Sequence, residues 1–260
     1  MNSDELPEAE CAIIGGVGTF QPEEDAMQMV STPFGEVEVF FVEEKGVKLA
    51  IIPRHVASGK HTPPHMINYR ANIKAVEEIG VKRIIATNSV GSMQNQMPGT
   101  FFIPDDFIDF TKMRPSTFFD DKTIHIDMGE PYCPQIREAL IRSLSDSEVT
   151  YSEGTYICTE GPRFETKAEI RMLSQFGDVV GMTGLPEVVL AKELQLCYAS
   201  ICTIANPACG LNHGKLTTEE VLEVLDSTRE RLLRIILNSI KMMDEKRTCS
   251  CRKARENAGL

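Results

Sequence analysis

Three short clusters combine side chains that could hold an anion and a planar ring. Gly15-Gly16-Val17-Gly18-Thr19 follows the apolar run 11–14. A glycine loop after a first strand can aim backbone N–H groups at a phosphate oxygen, and a tight turn is the plain alternative. It is not a dinucleotide fingerprint, because the third glycine of G-x-G-x-x-G falls on Gln21, and no Gly-Lys-Ser/Thr makes a P-loop. Arg54-His55 follows the run 49–52 past Pro53. A guanidinium offers a fork for phosphate, and an imidazole adds a donor or shuttles a proton. His61 and His65 lie close behind, yet no cysteine or carboxylate in that segment completes a metal set. The third cluster is Thr159-Glu160-Gly161-Pro162-Arg163-Phe164-Glu165. There an aromatic face adjoins a hydrogen-bond acceptor, which suits a planar heterocycle; alternatively Glu165 only complements a helix dipole.

The elements that must position these residues alternate along the chain. β-Branched runs predict strands at 11–14, 37–42, 49–52, 83–87, 101–103, 155–158, 179–182 and 198–205. Helices are predicted from Pro63-Pro64 to Gly80 and over 134–144, 165–176, 186–194 and 217–243. Thr217 with Glu220 is a capping-box signature for the last of them. This alternation predicts one α/β domain over 11–244 around a central, largely parallel sheet, with polar segments at 1–10 and 245–260. Ligands of such sheets bind beyond the carboxyl ends of strands. Thr87-Asn88-Ser89-Val90-Gly91-Ser92, Met182-Thr183-Gly184 and Asn206-Pro207-Ala208-Cys209-Gly210 stand at three such ends, and with the glycine loop they predict one pocket rim.

Composition narrows the classes. The 260 residues carry 27 Lys+Arg against 38 Asp+Glu, a net charge of −11, which disfavours nucleic acid or an anionic membrane as a partner. An anion site must then be local. No apolar run approaches the ~20 residues of a bilayer span, and the acidic start MNSDELPEAE is unlike a secretory signal. A cytoplasmic protein is expected. Six of the eight cysteines sit in or beside apolar stretches, whereas Cys249 and Cys251 form Cys-Ser-Cys in the polar tail. One pair at that spacing is not a zinc site, which needs four ligands. A solvated tail is the expectation there, with a redox-active thiol pair or strained disulfide as the alternative.

The ordered set Ile13-Ile14-Gly15-Gly16, Arg54-His55, Asn68-Tyr69-Arg70-Ala71-Asn72-Ile73, Glu160-Gly161-Pro162-Arg163-Phe164 and Met182-Thr183 before Pro186-Glu187-Val188 resembles the purine nucleoside phosphorylase and methylthioadenosine phosphorylase family. Met113-Arg114-Pro115 is most like the methylthioadenosine branch. The resemblance runs from about residue 11 to 243 and leaves the tail uncovered. It implies phosphorolysis of a purine nucleoside to free base and pentose 1-phosphate, on an α/β fold with a mixed sheet. It also implies a homotrimer, or a hexamer of two trimers, and inorganic phosphate as co-substrate without metal or organic cofactor. By position, phosphate falls to Val17, Arg54, His55, Asn88, Ser89 and Thr183, with Met182 against the ribose. Phe164 stacks near the nucleoside, while Glu165, Asn206 and Ala208 face the base. Asn206 and His55 are the implied catalytic groups. Val17 departs from the family's Thr or Ser, so Thr19 or backbone N–H groups must replace a hydroxyl. The stretch from His55 to His61 is longer than usual, leaving the family's second loop histidine unassigned.

Base choice separates the branches. The methylthioadenosine branch carries Asp-x-Asp where this chain has Asn206-Pro207-Ala208, and Phe164-Glu165-Thr166 and Thr87-Asn88 match the 6-oxopurine branch. An asparagine amide can donate to N7 or to a 6-oxo oxygen, and a carboxylate can accept the N1 hydrogen that adenine lacks. Inosine or guanosine is expected. At the 5′ end Thr218 replaces the histidine of the 6-oxopurine branch, keeping 5′-methylthioinosine beside them. Phosphorolysis of 5′-methylthioadenosine, a nucleoside hydrolase and a non-catalytic binding protein are the alternatives; Arg54, His55 and Thr183 argue against hydrolysis.

Overall fold

The computed structural model describes residues 6–16, 24–57, 60–211 and 217–259. Strands β1 (Cys11–Gly15), β2 (Met27–Thr32), β3 (Gly35–Glu44), β4 (Val47–Pro53), β7 (Arg83–Ser92), β8 (Phe101–Asp109), β9 (Tyr151–Cys158), β10 (Val179–Gly181) and β11 (Cys197–Pro207) form one sheet; β5 (Val56–Ala57) and β6 (Lys60–His61) pair separately. The sheet order is β10-β9-β8-β11-β7-β1-β4-β3-β2. β10 also pairs with β7, through Val179 opposite Ser92 and Val180 opposite Gly91. Strands β7, β10, β9, β8 and β11 therefore close into a ring, from which β1 to β4 extend as an open sheet.

The sheet is mixed, not largely parallel as the alternation alone predicts. β1 runs parallel to β4 and β7, β11 to β7, and β9 to β8 and β10. The pairs β2·β3, β3·β4, β10·β7 and β11·β8 are antiparallel. β2 escapes the periodicity reading because only Val30 of it is buried. An edge strand with one inward residue carries almost no alternation to read.

Successive side chains of a strand point to opposite faces, and each face has its own core. Ala12, Ile14, Ala50 and Ile52 pack with Ile73 and Val76 of α1 (Tyr69–Glu78) and Val188 and Leu190 of α4 (Glu187–Glu193). Cys11, Ile13, Leu49 and Ile51 pack with Ile136 and Leu140 of α2 (Pro134–Asp146) and Ile235 and Ile236 of α5 (Thr218–Met242). The predicted capping box of α5 is formed, Thr217 and Glu220 each accepting from the other's backbone N–H.

Two elements differ from the sequence reading in ways that matter. The helix predicted over 165–176 is α3 (Lys167–Leu173), capped by Thr166, whose hydroxyl accepts from Glu169 N at 3.1 Å while Glu169 accepts from Thr166 N at 2.6 Å. Stopping at Thr166 leaves Glu165 outside the helix and buried. The second is the expected polar tail, which is packed against the body. Cys249 and Cys251 are buried, Ser250–Lys253 forms a 3-10 turn, and Ile124 bridges Gly259. Gln135 Oε1 accepts from Thr248 N and Cys249 N, and Arg247 donates to Gln195 O at 3.0 Å.

Thr166→Ala should lower stability by about 1 kcal/mol in urea unfolding while Thr166→Ser stays close to wild type. Equal losses for both would mean that the cap hydroxyl does not set where α3 begins.

Candidate active site

Strand ends converge on an open cleft. Its wall includes Gly16, His55, Ser89, Phe164, Glu165, Met182, Thr183, Asn206, Ala208 and Thr218. Nine of the twelve residues predicted for the site, Thr218 among them, thus share it. Of the others, Asn88 and Arg54 lie behind the wall, and Val17 falls outside the described residues.

Gly16, Ser89 and Thr183 contribute to the cleft wall. Gly16 N donates to Thr87 Oγ1 at 2.9 Å, pinning the start of the glycine loop to β7. A Cβ at Gly16 would stand 3.0 Å from Thr87 O, so a side chain there would crowd this contact. Buried Asn88 donates from Nδ2 to Thr183 Oγ1 at 2.8 Å, and its Oδ1 accepts from Ser200 Oγ. A hydroxyl that accepts from an amide keeps its own hydrogen to donate, so Thr183 is oriented as a donor. Tyr156 Oη fixes the same turn, accepting from Thr183 N at 3.3 Å and Gly184 N at 3.2 Å. Cβ atoms at Gly181 and Gly184 would come within 2.4 Å and 2.9 Å of Tyr156, which is why glycine flanks the turn.

Arg54 has a different surrounding from the one its sequence position implies. Nε and Nη2 form a two-point bridge to Glu187 at 2.7 and 2.8 Å, Nη1 donates to Thr87 O at 2.7 Å, and Nη2 also reaches Ile14 O at 3.3 Å. These bonds use four of the five guanidinium N–H groups. Both side chains are fully buried, and Tyr198 Oη donates to Glu187 Oε2 at 2.7 Å. Burial opposes the charge on Arg54, but Glu187 outweighs it and holds the guanidinium above its ordinary pKa. The positive charge is thus matched internally, and Nη1 lies 3.6 Å from where a Cβ of the cleft residue Gly16 would be.

His55 lines the cleft beside this pair. Burial first, then the charge of Arg54, push its pKa from 6.5 to about 4 against the pull of the Thr62 carbonyl. Nδ1 lies 3.0 Å from Thr62 O, and a carbonyl only accepts, so Nδ1 carries the hydrogen and neutral His55 offers Nε2 as an acceptor. His61 stacks on it at 5.5 Å between centroids and 6° between planes.

Phe164, Glu165, Asn206 and Ala208 also line the cleft. Thr159 Oγ1 donates to Glu165 Oε1 at 2.6 Å, and Asn206 Nδ2 donates to Pro207 O at 2.7 Å. The β-bulge between Ile204 and Asn206 re-aims the strand end, and Ala208 N bonds Ser92 O at 2.7 Å. Arg114 braces this wall from behind, through Glu160 Oε1 at 3.1 Å, Glu160 O at 2.7 Å, Leu185 O at 2.6 Å and Tyr69 Oη at 3.0 Å.

Sequence reasoning gave no role to Val180, Tyr156 or Glu187. Gly91, within the predicted rim cluster 87–92, lines the cleft, and a Cβ there would lie 3.2 Å from Asn206 Nδ2 and 3.3 Å from Ala208 Cα. Tyr156 and Glu187 gave no local signal, because each acts on residues far away in the chain.

The Phosphorylase superfamily matches residues 10–241. The chain belongs to that superfamily. It is similar to a probable S-methyl-5′-thioinosine phosphorylase of Methanosarcina acetivorans, 52% identical over 257 residues and 99% of each chain. It is 45% identical to a 6-oxopurine nucleoside phosphorylase of Pyrococcus furiosus, over 95% of this chain and 98% of the relative. A solved methylthioadenosine phosphorylase from an antarctic soil metagenomic library superposes with a TM-score of 0.86 at 31% identity, over 97% of this chain and 92% of its own.

Glu187→Gln, which leaves the buried guanidinium unmatched, should cost about 3–5 kcal/mol in urea unfolding. A cost under about 1 kcal/mol would remove the pair from the frame of the site. His55 gives a pH signature. Its folded pKa of about 4 lies below 6.5, so the unfolded chain takes up the proton first and stability falls as pH drops through this window. Its share of the slope is at most about 1.4 kcal/mol per pH unit. His55→Gln should flatten the stability profile between those limits, and an unchanged profile would contradict the assignment.

Proposed function

We infer that this chain cleaves 6-oxopurine nucleosides by phosphorolysis, giving free base and a pentose 1-phosphate. The observation that carries this is the base end, where the Glu165 carboxylate and the Asn206 amide face one cleft. Glu165 Oε1 is taken up by Thr159 Oγ1, which leaves Oε2 for the N1 hydrogen of hypoxanthine or guanine. Asn206 uses one amide hydrogen on Pro207 O and turns the other to N7 and the 6-oxo oxygen. Adenine fits this pattern badly, since its N1 is an acceptor facing a carboxylate.

The chemistry follows from the same geometry. Breaking the N-glycosidic bond builds positive charge on the ribose and negative charge on the departing purine. Phosphate, held by Thr183 Oγ1, Ser89 and the glycine loop, supplies the nucleophile and offsets the ribose charge by position and electrostatics. Neutral His55 accepts from a protonated phosphate oxygen or a ribose hydroxyl through Nε2. Met182 lies against the sugar; Gly161, at φ 66, is where its sulfur packs, 2.6 Å from where a Cβ would stand. Asn206 stabilises the leaving base. No protein nucleophile is used, and the step is proposed to run without metal or organic cofactor at this site.

Pro64 and Val221 share the cleft with Thr218 and favour an apolar 5′ group, which brings 5′-methylthioinosine into the substrate class with inosine and guanosine. Assembly as a homotrimer or hexamer belongs to the same reading. It is supported by exposed Phe110, Met113, Phe164, Met172 and Phe176, since large apolar side chains left in water commonly mark an interface. A cytoplasmic location is supported by eight cysteines that are all free thiols.

A phosphate-dependent assay of hypoxanthine release tests the reading. Two polar mismatches of about 1–3 kcal/mol each predict that inosine outpaces adenosine in kcat/KM by about a hundredfold or more. Faster turnover of adenosine, or release that ignores phosphate, would overturn it. Glu165→Ala should lower kcat/KM for inosine by roughly 10- to 100-fold and leave the slow adenosine rate nearly unchanged.

A further inference from the structure

Four cysteines with no part in the cleft meet on the other side of the sheet from α1. Cys133 is the N-cap of α2, Cys197 opens β11, and Cys249 and Cys251 flank Ser250 at the 3-10 turn of the packed segment. Their Sγ atoms all lie within 4.8 Å of one another. Cys197 Sγ and Cys249 Sγ are 3.3 Å apart, and all four residues are at most 7% exposed. We propose that Cys133, Cys197, Cys249 and Cys251 form a mononuclear tetrathiolate site for a thiophilic divalent ion, Zn2+ or Fe2+.

Three features point the same way. A tetrahedral ion bound at about 2.3 Å to each sulfur sets neighbouring sulfurs about 3.8 Å apart. The observed 3.3 Å contact and 4.8 Å limit bracket that edge. A disulfide would bring two sulfurs to about 2.05 Å, and all four are free thiols. The group is also too tight for a polynuclear cluster, whose ligands must spread around several metal ions. Second, Arg247 Nη1 lies 3.7 Å from Cys197 Sγ, a cation placed to offset the charge of thiolates. Third, the supporting bonds hold the ligands from outside the group. Gln135 Oε1 accepts from Cys249 N at 3.2 Å, and Cys133 N donates to Tyr198 O at 2.7 Å. Such outer bonds orient metal ligands.

Sequence spacing hid the site. Cys249 and Cys251 are a pair too few for zinc, and only the fold adds Cys133 and Cys197 from two distant segments. Binding converts four thiols and one divalent ion to a tetrathiolate complex with release of up to four protons, and no oxidant or reductant is needed. The ion would clip 245–259 to α2 and β11. Cys197 begins β11 and Asn206 stands near its other end, about 30 Å away at ~3.3 Å per residue. The role is therefore structural and separate from turnover.

The test uses the full chain purified without chelator and freed of loose metal by buffer exchange. Elemental analysis should find about one zinc or iron per chain. Replacement by Co2+ should give thiolate-to-cobalt charge-transfer absorption with tetrahedral d–d bands. Cys251→Ser and Cys133→Ser should each lose the tightly held metal. Chelation of the unaltered chain should lower Tm while kcat/KM at 25 °C changes by less than about twofold. Metal retained by both variants would overturn the site. So would a metal-free chain that cannot be loaded with Zn2+, Fe2+ or Co2+. Non-reducing mass spectrometry supplies the last arm, because a two-hydrogen deficit per pair and blocked alkylation would show disulfides in place of the ion.

Discussion

Arg54 and Glu187 are sealed from water together, and neither could stay there alone. An unmatched charge in that position would cost several kcal/mol, so each side chain dictates where the other's backbone must run. Their bonds reach Ile14 at the end of β1, Thr87 in β7, and Tyr198 in β11, with Arg54 itself just past β4 and Glu187 opening α4. The strand ends that carry Gly16, Ser89, Thr183 and Asn206 are spaced by that frame.

The pair also alters how the cleft handles an anion. A chain of net charge −11 needs a local attraction for phosphate, yet the nearest arginine is already balanced by a carboxylate. On the proposed reading, what remains to attract it are oriented dipoles: the Thr183 hydroxyl, which accepts from Asn88, and an imidazole kept neutral by burial. Such groups would hold a dianion without the cost of desolvating a free cation beside it, and their own partners are protein atoms.

Much of this was legible in the chain itself. Runs of β-branched residues placed most of the strands, and turn-forming clusters after them marked the rim, because both signals are local. Nine of the twelve site residues line the cleft, so type and position at strand ends carried real information. The Glu187 partner of Arg54 lies 133 residues away in the chain and leaves no trace beside it. β2 was missed for lack of an inward face, and the start of α3 was set by a cap hydroxyl, not by hydrophobic period. The segment 245–260 looked solvated because its polar residues outnumber the two cysteines that anchor it. For the segment 245–260 the deciding partners, Gln135 and Gln195 among them, are close in space and distant in sequence.

Closure of β10 onto β7 has a further bearing on the cleft. Val180 and Gly91 face each other in that closing ladder and both line the cleft. A strand held on two sides cannot shift its register without breaking both ladders at once. That part of the cleft is thereby built from backbone that has no soft direction, and Ser89 on β7 and Asn206 on β11 stand on strands of the same closed ring. A planar ring seated against those strands would meet a wall whose outline is set by paired backbone on both sides.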